Sequence, residues 1–283
     1  MNEHEIIGNL KKIIKNPNAL KLNDDVFFDK KKGLVISIDT YNENSHFIDF
    51  KKPNLVIKKI IRSSISDLIC KGVLPKYYFI SGAGNKKTFN KKNLTKISQS
   101  LAQEQKKYGI YLCGGDTVNS NKLSFTITSV GFSKSIILRN AAKYKDDIYV
   151  TGNLGDSFTG LQILKNKINV KKKIKDYFVK KYFLPDIQIS LTKKLFKFAN
   201  TSIDISDGLI ADLDKLINKQ HLSYQIYEKQ VPVSKQLENL LKYKRLNKSD
   251  FISNGDDYQV LFTASRDKSR IIKSTFKKLG IKI

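Results

Sequence analysis

The sequence predicts an α/β (α+β) protein of two domains, and three observations carry that reading. Period-2 apolar runs such as Leu123 to Gly131 alternate with amphipathic stretches of helical period such as Val56 to Ile69. Aspartates recur where predicted strands end or helices begin. At 283 residues the chain exceeds the roughly 100 to 200 residues usual for one domain. Its pattern weakens around Ile137 to Lys143, which divides it into an N-terminal unit, 1–136, and a C-terminal α/β unit, 137–283.

Taken in order, Ile6, Ile7, Leu10, Ile13 and Ile14 share one helical face, and Asn16-Pro17 ends that helix. A strand, Val26 to Phe28, follows Asn23-Asp24-Asp25. The turn Lys30 to Gly33 then reverses the chain into the buried strand Leu34 to Thr40, so Asp25 and Asp39 are expected at the same sheet edge. Beyond a polar loop holding His46-Phe47, apolar residues from Val56 to Ile69 mark a long helix closed by Gly72 and Pro75. Ser66-Asp67 interrupts its C-terminal half. An Asp beside an apolar stripe is costly unless it meets a partner or a cation; a solvated edge position is the alternative.

A strand at Tyr77 to Ile80 and a helix at Leu94 to Lys107 precede the strand Ile110 to Cys113. That strand runs into Gly114-Gly115-Asp116-Thr117, which is either a plain turn or a backbone platform for a phosphate and its metal. In the second unit, strand Ile148 to Val150 enters the turn Thr151 to Asp156, which lacks both the ending of a P-loop and the glycine spacing of a dinucleotide fingerprint. The basic stretch Lys165 to Lys175 reads as a solvated helix-loop face. A helix, Gln188 to Ala199, leads to Ile203-Asp204-Ile205-Ser206-Asp207-Gly208, where strand alternation gives way to the helical stripe Leu209, Ile210, Leu213, Leu216 and Ile217. Ser206 and Asp207 sit where N-caps belong, and Asp204 with Asp207 is equally an oxygen-ligand pair. A strand at Tyr224 to Tyr227, a helix at Ser234 to Leu241, the motif Asn254 to Tyr258 before a strand ending at Phe262, and a helix at Arg270 to Lys278 complete the chain. Ile283 reads as the start of a further strand, as if the chain were cut short.

Lys and Arg number 52 against 26 Asp and Glu, a formal net charge of +26. The lysines are spread as doublets and triplets among Asn and Ile, Trp is absent, and no basic motif is interleaved with aromatics. The charge therefore reads as compositional bias, and neither nucleic acid nor membrane is expected as a partner. Cys70 and Cys113 are too few and too far apart for a zinc knuckle or a disulfide framework. With no secretory apolar segment and no apolar run near the ~18 residues of a membrane helix, the sequence predicts a soluble, cytoplasmic protein.

Asp24, Asp25, Asp39, Asp67, Asp116, Asp204, Asp207, Asp256 and Asp257 mostly lie at element ends beside Ser, Thr or Gly. Hard oxygen ligands without paired His or Cys point to Mg²⁺, which binds carboxylates together with substrate phosphates. Glycoside hydrolysis also uses paired carboxylates, yet leaves so many beside glycines unexplained.

Asp24-Asp25, Ser37-Ile38-Asp39-Thr40, His46-Phe47, Ser66-Asp67, Gly114 to Thr117, Leu138-Arg139, Asp204 to Gly208 and Gly255 to Tyr258 follow one another in the order and spacing of a known family. On these motifs the chain resembles the thiamine-monophosphate kinases, which share a fold with aminoimidazole ribonucleotide synthetase and selenophosphate synthetase. The resemblance runs from about Asn23 to Phe262. It implies ATP-dependent phosphorylation of thiamine phosphate to thiamine diphosphate by a homodimer whose N-terminal sheets pair into a barrel. It also implies several Mg²⁺ ions on Asp25, Ser37, Ile38, Asp39, Asp67, Asp116, Asp204 and Asp207, with Ile38 contributing its carbonyl. Gly115, Asp116, Arg139 and Ser206 would meet the ATP phosphates, and His46 with Asp256 the thiamine phosphate. Asp67, Asp116, Arg139 and Asp207 would be the catalytic set. The chain departs from the family at Asn23, where Gly is usual, at Ile38 for Thr, and at Asp256 for a Glu one methylene longer; the C-terminal aromatic that covers thiamine has no counterpart. Another ATP-dependent member of the same superfamily, an inactive homologue, or a non-enzymatic nucleic-acid-binding protein are the competing readings.

Overall fold

The computed structural model describes residues 3–283. Its first half is a five-stranded sheet in the order β1-β2-β5-β3-β4, made of β1 (Phe27–Asp29), β2 (Leu34–Asn42), β3 (Pro75–Gly84), β4 (Tyr111–Asn119) and β5 (Ser124–Phe132). The β3–β4 pair is parallel and the others are antiparallel. Two helices fall in the same half, α2 (Pro53–Cys70) and α3 (Lys91–Tyr108), after the short α1 (Glu3–Lys11). The second half holds a three-stranded sheet in the order β6-β8-β7, from β6 (Asp147–Val150), β7 (Thr201–Asp204) and β8 (Val260–Ala264). Around it stand α4 (Asp156–Leu164), α5 (Lys172–Phe183), α6 (Leu209–Ile217), α7 (Lys235–Lys244), α8 (Ser249–Ile252) and α9 (Ser269–Leu279).

The helix α2 organises the interior because it is buried nearly all round, the polar Lys59, Arg62, Ser63, Ser64 and Ser66 included. It lies on β2 and β5 on one side and meets β7 and α5 on the other. Val56, Ile57, Ile60, Ile61 and Ile65 are almost fully buried and join a core that includes Phe125, Ile127, Tyr182 and Phe262. Arg62 reaches from α2 to Glu104 of α3 through two buried hydrogen bonds of 2.8 and 3.1 Å. Such a bidentate pair satisfies the charges that the helix packing removes from water.

The alternation in β2 separates its two faces. Val35 and Ser37 turn inward, whereas Ile38 is 66% exposed on the opposite face. That face also carries exposed Phe79 and Phe132, and every residue of the edge strand β4 is exposed.

Several expectations are corrected. Gly114-Gly115-Asp116-Thr117 is not a turn after a strand: it lies inside β4, with a register irregularity opposite Tyr78 and Phe79. A Cβ on Gly115 would stand 1.7 Å from the carbonyl oxygen of Ile80, so glycine permits the close approach of β3 and β4. The helix expected at Gln188 to Ala199 is a 3₁₀ segment, Ile189–Lys197, with the Thr192 hydroxyl turned back on the Ile189 carbonyl. Residues Tyr224 to Tyr227 form no strand: Tyr224 and Ile226 pack on the core, but no neighbouring strand pairs with their backbone. Ile283 likewise begins no strand. Among the described residues no helix is long and apolar enough to cross a membrane.

Candidate active site

Carboxylates from four parts of the chain converge where α2 passes between the sheets. Asp67 is the hub. Burial first, and then the charges of Asp39 and Asp204, hold its proton well above the ordinary carboxylate range, with Asp24 adding to them and Lys71 opposing. Its carboxylate has no hydrogen-bond or ion-pair partner among the described residues. Asp39 comes from β2, where Tyr41 donates to it at 3.1 Å. Asp204 ends β7, is 4% exposed, and accepts a 2.5 Å hydrogen bond from Ser66. Both are pushed up to about 6, chiefly by burial.

These shifts make a prediction about stability. Unfolded, the three carboxylates ionise near pH 4. Folded, they keep protons to higher pH, so the native state binds more protons between about pH 4 and 6, and stability falls as pH rises through that window. A two-unit shift at Asp204 corresponds to about 3 kcal/mol. His46, whose pKa burial lowers, works in the opposite sense and only as a single group. Melting of the metal-free protein is expected at a higher temperature at pH 4.5 than at pH 7, and the reverse order would contradict this placement of the carboxylates.

Asp24 and Asp25 are paired differently, with cations that belong to the protein. The ammonium of Lys71 stands 2.7 Å from Asp24 and 3.4 Å from Asp25. Arg139 donates from its backbone to Asp24 at 2.9 Å and from Nε to Asp25 at 2.8 Å, and its Nη2 closes a second contact with Asp25. Ser37 is buried on β2 and hydrogen-bonds the Ser64 carbonyl of α2 at 3.5 Å. The structure therefore gathers Asp25, Asp39, Asp67, Asp204, Arg139 and the buried Ser37 around one region.

Among the described residues, neither Asp116 nor Asp207 makes a hydrogen bond or ion pair with that group. Asp116 pairs in register with Ser81 and bonds only the backbone of Thr117. Asp207 is exposed and ion-paired with Lys215. Nor is Asp207 or Ser206 the cap of α6. That cap is Gly208, at φ +127°, while the carboxylate of Asp212 reaches back to the backbone N–H of Asp207 and Gly208 at 2.9 and 3.0 Å. Glycine is required at 208 because a Cβ would fall 2.3 Å from the Ser253 carbonyl. Asp256 N–H donates to the Ser206 carbonyl at 2.9 Å, which joins the two C-terminal motifs backbone to backbone.

The adjacent carboxylates of the last motif have separate duties. Asp257 is buried and accepts the N–H groups of Gly155 at 2.7 Å and Ser157 at 3.3 Å, at the start of α4. Asp256 instead meets Lys59 of α2 at 2.9 Å and accepts from Tyr258 at 3.0 Å. Both Asp256 and Tyr258 hold positive φ, +68° and +50°, a strained pair of conformations of the kind that accumulates at functional sites. Lys59 is wholly buried, and its ammonium lies 3.6 Å above the Tyr182 ring. His46 senses the charges of Asp256 and Lys59. Its Nδ1 accepts from Asn42 N–H at 3.0 Å, which assigns the proton of the neutral ring to Nε2. A cavity of about 690 Å³ lies elsewhere, between Ala142 to Val150, α6 and Ser223 to Pro232, and is lined by none of these residues.

Lys59, Lys71 and Asp212 were missed by the sequence reading. Each sits in an apolar stretch where its charge needs a partner, and that is the one signal the sequence offers for it.

Among the described residues no three Asp, Glu, His or Cys side chains close on a single point. The arrangement suits an ion that takes one or two protein carboxylates and completes its shell with phosphate oxygens and water.

The family description "AIR synthase related protein, N-terminal domain" matches residues 22–133. The thiamine-monophosphate kinase of Buchnera aphidicola subsp. Acyrthosiphon pisum is 37% identical over 276 residues, 93% of this chain and 83% of its own length. That of Haemophilus influenzae is 34% identical over 93% of this chain and 80% of its own. The solved structure of AaThiL complexed with AMPPCP and TMP superposes with a TM-score of 0.86 at 27% identity, covering 94% of this chain and 86% of that one. Escherichia coli HypE, at 16% identity and a TM-score of 0.69 over 88% of this chain and 76% of its own, shares the fold.

Proposed function

The chain belongs to the thiamine-monophosphate kinase family, and from that premise we infer how its carboxylate cleft works. The protein is an ATP-dependent phosphotransferase that converts thiamine phosphate to thiamine diphosphate. The observation that carries the site assignment is Asp67, a carboxylate without a hydrogen-bond or ion-pair partner among the described residues, set among Asp39, Asp204 and Asp24.

The residues fit Mg²⁺ through their chemistry: hard oxygens from Asp39, Asp67 and Asp204, raised in pKa first by burial and then, at Asp67 and Asp204, by neighbouring carboxylates. We assign Asp25, Ser37, the Ile38 carbonyl, Asp39, Asp67, Asp116, Asp204 and Asp207 as the residues that hold several such ions. When bound, Mg²⁺ offsets the charge that the ATP phosphates and the transferring phosphoryl group bring together.

The remaining steps fall to the chain's own groups. The acceptor is a phosphate oxygen that is already anionic, so no general base is required; the task is to bring two polyanions into line. At 4 Å two unit charges repel by about 4 kcal/mol at an effective dielectric near 20. Arg139, Gly115, Asp116 and Ser206 are assigned to the ATP phosphates. His46 with its Nε2–H, and Lys59 with Asp256, are assigned to the thiamine phosphate. His46 comes from the loop after β2 and Asp256 from the strand-entry motif of the second half, so the two halves, divided near residue 136, meet over the substrate. Asp67, Asp116, Arg139 and Asp207 form the catalytic set.

The exposed edge strand β4, with Ile38, Phe79 and Phe132 on the same sheet, supports a homodimer built through the N-terminal sheet. We place the protein in the cytoplasm, where ATP is held. Release of ADP from ATP and Mg²⁺ tests the function. It is expected to depend on thiamine phosphate and to stay at background with selenide or thiamine. Release driven by selenide would move the protein to another branch of the fold.

A further inference from the structure

We infer that Lys71 is an internal cation that occupies, beneath Asp24 and Asp25, a position otherwise open to a divalent ion, and so limits how many ions the substrate-free site takes up. This rests on the reading of the cluster as a Mg²⁺ site.

Lys71 follows α2 immediately and its side chain is completely buried. Its ammonium has three donors, and three acceptors surround it: Asp24 at 2.7 Å, Asp25 at 3.4 Å and the Ser202 carbonyl at 2.9 Å. The third contact fixes the ammonium to β7, and Ser202 answers by donating its hydroxyl to the Cys70 carbonyl. Lys71 is thus a fixed countercharge with no freedom to swing away.

The cluster is divided as a result. On one side, two carboxylates, Asp24 and Asp25, face two cations, Lys71 and Arg139. On the other, Asp39 and Asp204 receive hydroxyl donors from Tyr41 and Ser66, and the Asp67 carboxylate receives no hydrogen bond among the described residues. External cations are drawn more strongly to the second side, where hydroxyl donors and no ion-paired cation face the carboxylates. Lys71 also holds Asp24 and Asp25 in place before any ion arrives, which makes it a positioning residue.

The test is calorimetric titration of the nucleotide-free protein with Mg²⁺ alone, together with melting curves at each Mg²⁺ concentration. Lys71→Met is expected to take up one more ion than the wild type and to gain more in melting temperature from Mg²⁺. Adding Asp24→Asn to Lys71→Met rebalances the charge and should return the count to that of the wild type. If Lys71→Met folds only with Mg²⁺ present, the inference is supported. If it does not fold at all, the double variant decides: a wild-type count supports the inference, and a changed count overturns it. A Lys71→Met protein with the same count and the same melting response as the wild type also overturns it. Wild-type protein that takes up no Mg²⁺ would overturn the metal reading itself, a result distinct from failure of the Lys71 assignment alone.

Discussion

Asp67→Asn is expected to lower kcat by roughly 10²- to 10³-fold at saturating Mg²⁺ while the protein still folds, the scale of loss seen when one preorganised charge-stabilising group is removed. The carboxylate lies among Asp39, Asp204 and Asp24 and has no hydrogen-bond or ion-pair partner among the described residues, so it is available to an ion that the neutral amide cannot hold as well. Folding should survive because the substitution removes like-charge repulsion in a buried cluster; the metal-free variant should melt no lower than the wild type. Steady-state kinetics with a Mg²⁺ titration reads the first effect and melting in a chelator the second. Turnover equal to wild type would remove Asp67 from the centre of the site.

Asp256→Ala is expected to fail in two ways at once. In kinetics, loss of a charged contact to the thiamine phosphate side is worth about 1.5 to 3 kcal/mol, or roughly ten- to a hundred-fold in kcat/KM, with ATP affinity little changed. In stability, it strips the carboxylate from the buried Lys59 ammonium, a change that costs about 3 kcal/mol or more when a buried charge loses its partner. The backbone at +68° also disfavours alanine, so Asp256→Asn serves as the control: asparagine tolerates that conformation but lacks the charge. Asp256→Glu, which restores the longer side chain usual in the family, should keep or improve kcat/KM. An Asp256→Asn variant with unaltered thiamine phosphate kinetics would remove this residue from the substrate side.

Much of this site was legible because its acidic residues break local rules. Asp67 stands against an apolar helical stripe, Asp39 interrupts the strand β2 and Asp204 ends the apolar strand β7; each needs a partner that local sequence does not supply. The strand and helix periods likewise gave β2, β5 and α2. Lys59 and Lys71 stayed hidden because two buried lysines look like the rest of the 52 basic residues until the fold closes over them. Asp256 and Asp257 are neighbours with the same chemistry, and only tertiary packing sends one to Lys59 and the other to the start of α4. In the sequence the Gly-Gly-Asp segment is open to a turn or a phosphate platform because glycine usually ends strands; the close approach of β3 keeps it inside a strand instead. Tyr224 to Tyr227 has the composition of a strand and lacks only a neighbour to pair with, a non-local condition.

The most direct measurement is the appearance of thiamine diphosphate, followed by chromatography, when purified protein is mixed with ATP and thiamine phosphate across a Mg²⁺ titration in parallel with Asp67→Asn. Thiamine diphosphate should form in step with ADP, only with Mg²⁺, and only slowly in the variant. ADP without thiamine diphosphate, or equal product from both proteins, would contradict the assignment of the carboxylate cleft as a thiamine phosphate kinase site.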